Sequence, residues 1–146
     1  MPGGYMGKML RVDLTAATVQ EMPLPDEATR RKWIGGTGLG LHMLLQSMRP
    51  DAAPGDTDTP IVLMTGPLTG TNAPSSSDWK LITLRSDLPY HPAVTQAHGH
   101  FGARLKHAGY DGIVLTGRSA KPLYLWIDDG RVELRDAGKY WGMDTF

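Results

Sequence analysis

Residues 65–79 read TGPLTGTNAPSSSDW and lie between two predicted strands. The strand before them is the apolar run at 61–64, and the strand after them is the alternating run at 79–84. The segment between these runs is rich in Gly, Pro, Ser, Thr and Asn, which support neither helix nor strand. Connections of this length are uncommon in compact domains and are usually functional or disordered. A long loop between two strands is therefore the central feature of the sequence.

The composition of this loop allows two interpretations. Two prolines stiffen the loop, its small residues leave backbone N–H groups accessible, and three successive serines, at 75–77, add hydroxyl groups. Such a loop can hold an anionic or strongly polar ligand, as backbone nests hold phosphates. A rigid surface turn without a ligand has the same composition, since only a minority of loops bind anything. Composition alone leaves both interpretations open.

Composition also limits the class of protein. The chain has 146 residues, enough for one domain with its own core, and its balance of 40% hydrophobic and 21% charged residues predicts a globular fold. Its 15 acidic and 15 basic residues cancel without a basic block, which argues against a nucleic-acid partner. The absence of cysteine excludes disulfides, thiolate zinc sites and iron–sulfur ligands from this chain. Without an apolar membrane-spanning segment or a signal peptide, the expected location is the cytoplasm, with no membrane partner.

The remaining sequence predicts a mixture of strands and helices, and therefore the α+β class. Alternation predicts an antiparallel pair of strands at 8–14 and 18–22, and a helix through 28–33 follows with Asp26 as its N-cap. Helical spacing predicts a second helix with four residues facing the core, namely Leu41, Leu44, Leu45 and Met48. The later elements are a helix at 103–108, a strand at 112–117 and a hairpin of 123–127 with 131–134, besides a turn at 87–92. Gly109 is expected to end the helix at 103–108, Lys106 is expected on its exposed face, and Asp129-Gly130 is a strong hairpin signal.

Two further motifs contain residue types that can bind a nucleotide or a metal. The glycines at 35–40 superficially resemble a dinucleotide fingerprint, but their spacing is wrong and a helix rather than a strand precedes them, which favours a kink with close backbone packing. The pair His98-x-His100 would point to one side of an extended backbone and, with Asp78 or His91, could form a metal site. The alternative is that these histidines are polar groups at a loop rim or bind a ligand through hydrogen bonds.

Five blocks together resemble the N-terminal domain of tungsten-containing aldehyde:ferredoxin oxidoreductases. They occur in the family's order at residues 4–15, 33–40, 65–74, 105–111 and 141–142. The resemblance implies an α+β domain of two mainly antiparallel β-sheets with a few helices, spanning 1–146. It also implies that this domain is the base on which two pterins hold one tungsten, or molybdenum, through their dithiolenes. The family oxidises aldehydes to carboxylates and passes electrons through a [4Fe–4S] cluster to ferredoxin.

The resemblance also implies the residues that contact the cofactor. One contact segment matches Ser76, Ser77 and Asp78, and the other matches Gln96, Ala97, His98 and Gly99. The backbone carbonyl of Gln96 matches a ligand of the magnesium ion that bridges the pterin phosphates. The family commonly has arginine where this chain has Asp78, and a carboxylate there would repel a phosphate. Lys80, two residues along the same strand, shares a face with Asp78 and is expected to supply the missing positive charge.

Family members are much longer than this chain. We therefore expect the iron–sulfur cluster in the missing part or in a partner chain, and electron transfer to a ferredoxin-like acceptor only in the full enzyme. The expected partners are the remaining oxidoreductase polypeptide or further copies of this chain, and no aldehyde oxidation is expected from this chain alone. A split-enzyme subunit, a truncation and a relative that lost the chemistry all remain open. The alternative function is a non-enzymatic assembly domain that kept the fold and lost the cofactor.

Overall fold

The computed structural model describes residues 2–88 and 91–144. The turn expected at 87–92 includes residues 89 and 90, which lie outside the described residues. Short 3-10 turns at Pro2–Gly4 and Gly138–Tyr140 flank the main elements. These are, in chain order, β1 (Lys8–Asp13), β2 (Thr18–Pro23), α1 (Glu27–Trp33), α2 (Gly36–Ser47), β3 (Ile61–Thr65), β4 (Trp79–Leu84), β5 (Pro92–Ala97), α3 (His100–His107), β6 (Gly112–Thr116), β7 (Leu123–Asp128) and β8 (Arg131–Asp136).

The strands form two sheets. The larger sheet has the order β2-β1-β6-β3-β4-β5, in which β1 and β6 run parallel and the other neighbours run antiparallel. The smaller sheet is the hairpin of β7 and β8. Its two-residue turn, Asp129-Gly130, has φ angles of 42° and 84°, as the type I′ geometry of an Asp-Gly hairpin requires. The expected α+β fold with two mainly antiparallel sheets is confirmed.

Strand β5 was not expected from the sequence. It begins with Pro92, which lacks a backbone donor, and it shows no apolar alternation. It forms because it lies at the edge of the sheet, where its backbone pairs with β4 and a leading proline is tolerated. The pairing places Gln96 opposite Lys80, which matters for the site described below.

The large sheet is packed on both faces. Met9 belongs to the core cluster under α2, whereas the next residue, Leu10, belongs to the cluster shared with α3 and the hairpin. Successive side chains of a strand point to opposite faces, so neighbouring residues of β1 serve two cores. Residues 113 and 114 of β6 divide between the clusters in the same way.

Helix α2 buries a different stripe from the one expected. Leu44 is buried as expected, but Leu45 is 65% exposed and Leu41 and Met48 are only partly buried against the core. The other apolar contacts come from Leu39 and Met43. Apolar residues occur on more than one side of this helix, so spacing alone does not select the buried face. Contact with the sheet selects it, and the glycine at 40 allows that contact, since a Cβ there would lie 2.4 Å from the Ile82 Cδ1 atom.

The helix ends largely follow the expected signals. Asp26 caps α1, because its side chain accepts a hydrogen bond of 2.8 Å from the Thr29 N–H. Gly109 follows α3 with a φ of 95°, in agreement with its expected role as a helix terminator. Helix α3 begins at His100, three residues earlier than expected. In the described residues, no helix combines the length and apolar character needed to cross a bilayer.

Candidate functional site

The loop at residues 66–78, called the signature loop from here on, is closed by its own hydrogen bonds. The Thr69 hydroxyl accepts from the Gly66 N–H at 3.1 Å and donates to the Asp78 carbonyl at 2.9 Å. Thr69 is buried, so this hydroxyl joins the two ends of the loop in a protected position. Further bonds within the loop come from the hydroxyls of Thr71 and Ser76. The loop is therefore internally braced.

A cavity of about 410 Å³ lies between the signature loop and the start of α2. It is lined by residues 34–37, 66–69 and 74–76, together with Asp78 and Lys80. The two walls approach closely at position 35, where a Cβ would lie 3.0 Å from Gly66 Cα, Pro67 Cδ and the Thr65 carbonyl oxygen, a tighter contact than most side chains make. The close packing expected for the glycines at 35–40 is therefore observed, and it forms one wall of the cavity.

Asp78 and Lys80 line this cavity, and Gln96 and His98 contact them; these four residues are called the polar cluster from here on. The Asp78 carboxylate accepts from Gln96 Nε2 at 2.9 Å and lies 2.5 Å from His98 Nδ1. The Lys80 ammonium lies 3.5 Å from Asp78 Oδ2 and donates to Gln96 Oε1. Asp78 and Lys80 share one face, as their spacing predicted, and the β4–β5 register supplies Gln96. The two segments that the resemblance singled out therefore lie side by side.

The other residues of the predicted site have less direct roles in this arrangement. Ser76 lines the cavity, whereas Ser77 is half-buried just before Asp78. Ala97 is paired with Trp79 across the strands and contributes backbone rather than a polar side chain. Gly99 precedes α3 with a φ of 85°, and a Cβ there would meet no atom within 4 Å. The backbone at 99 thus borders open space.

The metal site considered for the histidines does not form. Within residues 2–88 and 91–144, no three His, Cys, Asp or Glu side chains come together as potential metal ligands. His98 does contact Asp78, but His100 is the first residue of α3. The pair is therefore better described as part of a hydrogen-bonded polar cluster.

Lys106 was expected on an exposed helix face, and this expectation is wrong. Its side chain is buried, lies 2.6 Å from the Asp111 carboxylate and donates to the Gly4 carbonyl at 2.5 Å. The same carboxylate accepts the N–H groups of Met6 at 3.0 Å and Gly7 at 2.7 Å. This buried ion pair therefore holds the backbone of the N-terminal segment 4–7 in place through hydrogen bonds. Tyr110, which directly precedes Asp111, is also buried and donates to Glu21 at 2.8 Å. Burial raises the pKa of Tyr110 to about 12.

Sequence reasoning missed two parts of the site. The glycines at 35–40 were expected to give a kink with close packing but not a cavity wall, and the Lys106–Asp111 pair was not anticipated. Both segments lie within blocks that carry the family resemblance, and that was the available signal. Their roles depend on partners about thirty or a hundred residues away along the chain, such as Gly4 for Lys106. Local periodicity does not report such partners.

The signature loop and the polar cluster thus lie beside a cavity of an α+β domain. The family model described as aldehyde ferredoxin oxidoreductase, N-terminal domain, matches residues 9–146. The chain belongs to this family, and the resemblance noted in the sequence is confirmed.

Curated relatives bear out the same assignment. The chain is 43% identical over 139 residues to the tungsten-containing aldehyde ferredoxin oxidoreductase of Pyrococcus abyssi, covering 95% of this chain and 23% of that protein. It is 40% identical over 141 residues to the enzyme of the same name from Thermococcus kodakarensis, with the same coverage. A third relative is an aliphatic sulfonate oxidoreductase, WOR-like subunit, of Pyrococcus furiosus, 36% identical over 152 residues, or 95% of this chain and 22% of that protein. The chain thus spans less than a quarter of the length of these relatives.

One solved structure extends the comparison to a further reaction type. The chain superposes with a TM-score of 0.90 on the active site complex BamBC of benzoyl coenzyme A reductase in complex with 1,5 dienoyl-CoA. The two are 28% identical, and the match covers 97% of this chain and 21% of the other. The same domain architecture therefore occurs in oxidoreductases with differently named substrates.

Proposed function

We propose that this chain is the tungstopterin-binding N-terminal domain or subunit of an aldehyde:ferredoxin oxidoreductase-type enzyme. The observation that carries the proposal is the contact of Asp78 with Gln96 and His98, which brings the two expected contact segments together beside a cavity. Membership of the family and the names of its tungsten-containing relatives support the same assignment. Catalysis of the whole reaction requires the parts of the enzyme that relatives have beyond this region.

The residues around the cavity fit a large polar cofactor with phosphate groups. Lys80 provides a cation at the rim, and the first turn of α2 presents N–H groups without a capping side chain at Gly35. The Asp78 charge is offset by Lys80 and by hydrogen bonds from Gln96 and His98, which reduces the expected repulsion of a phosphate. Open space beside Gly99 leaves room for close approach to the backbone. These residues therefore offer a pterin phosphate a cation, backbone N–H donors and open space.

Each residue has a proposed role in holding the cofactor. Lys80 would bind a phosphate, the hydroxyls of Ser76 and Ser77 would donate hydrogen bonds to the cofactor, and Asp78 orients Lys80 and Gln96. The backbone of residues 96–99 would contact the pterin through the main chain of Ala97 and Gly99. His98 would contribute a hydrogen bond, and the Gln96 carbonyl would bind magnesium. The tungsten or molybdenum pterin supplies the redox chemistry that converts an aldehyde to a carboxylate. An iron–sulfur cluster outside this chain would carry the electrons to a ferredoxin-like acceptor.

A lysine substitution in the assembled enzyme tests this proposal. Lys80→Ala should lower the tungsten and pterin content of natively purified enzyme by about tenfold, because a charge-assisted contact contributes about 1.5–3 kcal/mol. Lys121→Ala is the matched control, since Lys121 is exposed and lines none of the site. Metal content is measured by mass spectrometry and pterin content by fluorescence after oxidation. Equal cofactor content in both variants would remove Lys80 from the site.

A second candidate function is a non-enzymatic assembly domain. It is favoured by the carboxylate at 78, where the resemblance leads one to expect arginine, and by large exposed apolar side chains such as Leu45 and Leu68. Extensive exposed apolar surface marks interfaces with the remaining polypeptide or with a second copy. The same metal analysis separates the two candidates. An assembly domain would contain neither tungsten nor pterin even when it is purified with its natural companion chain.

A further inference from the structure

We propose that Tyr5 is a positioning residue that holds the 34–37 wall of the cavity in place. The inference rests on the proposed function for the identity of the ligand, but the positioning itself does not require a ligand. It concerns a hydrogen bond between distant parts of the chain. The Tyr5 hydroxyl donates to the Ile34 carbonyl at 2.6 Å, across 29 positions of sequence.

The backbone at Ile34 is strained. Its φ is 61° and its ψ is −78°, in a region that a β-branched residue rarely occupies. Such a conformation costs about 1–3 kcal/mol and persists only where surrounding contacts fix it. Strained residues of this kind gather at ligand sites, and Ile34 itself lines the cavity. The Ile34 N–H donates to the Arg30 carbonyl at 2.8 Å, and the Gly35 N–H donates to the Trp33 carbonyl at 2.8 Å. Tyr5 adds a restraint from a distant segment, on the Ile34 carbonyl.

The conformation of Ile34 sets the direction of the cavity wall. Ile34 caps the end of α1, and α2 begins two residues later at Gly36. Gly35 between them packs closely against Gly66 and Pro67, since a Cβ there would lie 3.0 Å from both residues. A change at Ile34 would therefore move the start of α2 away from the signature loop and open the cavity.

Tyr5 is itself held on both sides by the buried ion pair. Lys106 binds the carbonyl of Gly4, and Asp111 binds the N–H groups of Met6 and Gly7. Burial raises the pKa of Tyr5, so its hydroxyl remains a protonated donor at neutral pH. Position 4 also packs closely against the signature loop, because a Cβ there would lie 2.1 Å from the Pro67 carbonyl oxygen. A continuous set of contacts thus runs from the ion pair through Tyr5 to the cavity wall.

Hydrogen exchange of the 146-residue chain tests this role without any cofactor. In Tyr5→Phe, the amides of Ile34, Gly35 and Leu39 should exchange about fivefold faster, because one hydrogen bond that fixes this turn is lost. The amides of Ala108 and of the β strands should be unchanged. Tyr140→Phe is the matched control, since Tyr140 lies in the last 3-10 turn and lines no part of the cavity.

A second substitution distinguishes positioning from a general loss of stability. Glycine adopts positive φ without strain, so Ile34→Gly removes the need for the restraint, and Tyr5→Phe/Ile34→Gly should restore slow exchange at Gly35 and Leu39. Faster exchange throughout the chain, no change at the three amides, or no rescue by Ile34→Gly would each overturn the proposal. Tungsten content of the assembled Tyr5→Phe enzyme is measured separately. If the natural enzyme itself contains no pterin, a local exchange effect of Tyr5→Phe would reject the proposed function and leave the positioning role intact.

Discussion

The buried Lys106–Asp111 pair and the polar cluster use the same kinds of side chain in opposite ways. Lys106 and Asp111 are each 2% exposed, and their charged atoms are fully engaged by one another and by the N-terminal backbone. In the polar cluster the side chains of Asp78 and His98 are 39% and 67% exposed, and their contacts are among themselves at the edge of a cavity.

This difference separates structural charges from charges that are available to a ligand. Charges in the interior are kept only when partners satisfy them, and the loss of one partner leaves the other uncompensated. Charges at a solvated rim contribute little to folding, because water replaces any lost contact. Substitutions in the buried pair should therefore change the stability of the chain, whereas substitutions in the polar cluster should change ligand binding.

The largest effect is expected at the buried pair. Lys106→Met should lower the free energy of unfolding by about 3–5 kcal/mol, because the Asp111 carboxylate would remain buried without its cation. Urea denaturation followed by circular dichroism measures the change. Replacing Asp111 as well, in Lys106→Met/Asp111→Leu, should not restore stability, since the N–H groups of Met6 and Gly7 would then lose their acceptor.

The exposed Lys121 provides the comparison for this measurement. Lys121→Met should change stability by no more than about 0.5 kcal/mol, as is usual for surface substitutions. Similar losses in the Lys106 and Lys121 variants would mean that the buried pair contributes nothing beyond an ordinary surface lysine. That result would also remove the anchor assigned to the segment that holds Tyr5.

A smaller effect is expected at Tyr110, beside the buried pair. Tyr110→Phe removes the hydrogen bond to Glu21 and should cost about 1 kcal/mol at neutral pH. Burial raises the pKa of Tyr110 to about 12, whereas an unfolded tyrosine has a pKa of about 10. Between these values the unfolded chain has lost a proton that the folded chain keeps, so stability falls as the pH rises from about 10 to about 12.

As the pH rises from the pKa of an unfolded tyrosine to that of folded Tyr110, Tyr110→Phe should lose less stability than the natural chain. Urea midpoints at pH 8, 10 and 11 measure how stability changes with pH in the natural chain and in Tyr110→Phe. Tyr140→Phe serves as the control for an exposed tyrosine. Parallel slopes for the natural chain and Tyr110→Phe would contradict a raised pKa at this position. The other four tyrosines are present in both proteins, so their contributions cancel in the comparison.

The sequence was most informative where local pattern and structure coincide. Alternation located β1, β2, β4 and the hairpin, and the Asp26 and Gly109 signals marked helix ends. It was uninformative where an element depends on its neighbour, as with β5, whose pairing comes from the exposed edge of β4. The buried side of α2 likewise depends on contact with the sheet rather than on the spacing of its leucines.

The candidate site likewise has parts that the sequence predicts and parts that depend on contacts between distant positions. The shared face of Asp78 and Lys80 follows from their spacing on a strand, and the family resemblance supplied the segment 96–99. The cavity wall and the burial of Lys106 follow from contacts between distant positions, such as Tyr5 with Ile34. Only the folded chain brings those positions together.

The smallest change in stability is expected in the polar cluster, where the change in binding is more informative. Asp78→Asn keeps the shape of the side chain and removes its charge, and it should alter the free energy of unfolding by no more than about 0.5 kcal/mol. Asp51→Asn, at a second exposed carboxylate, is the control for the loss of one negative charge.

The tungsten content of assembled Asp78→Asn enzyme should be equal to or higher than that of the natural enzyme. The substitution removes a negative charge that lies 3.5 Å from the Lys80 ammonium, so Lys80 becomes more available to a phosphate. A lower content in Asp78→Asn, with Asp51→Asn unchanged, would mean that the carboxylate itself holds the cofactor or a bound cation. The polar cluster would then be a cation-binding site rather than a phosphate-facing one.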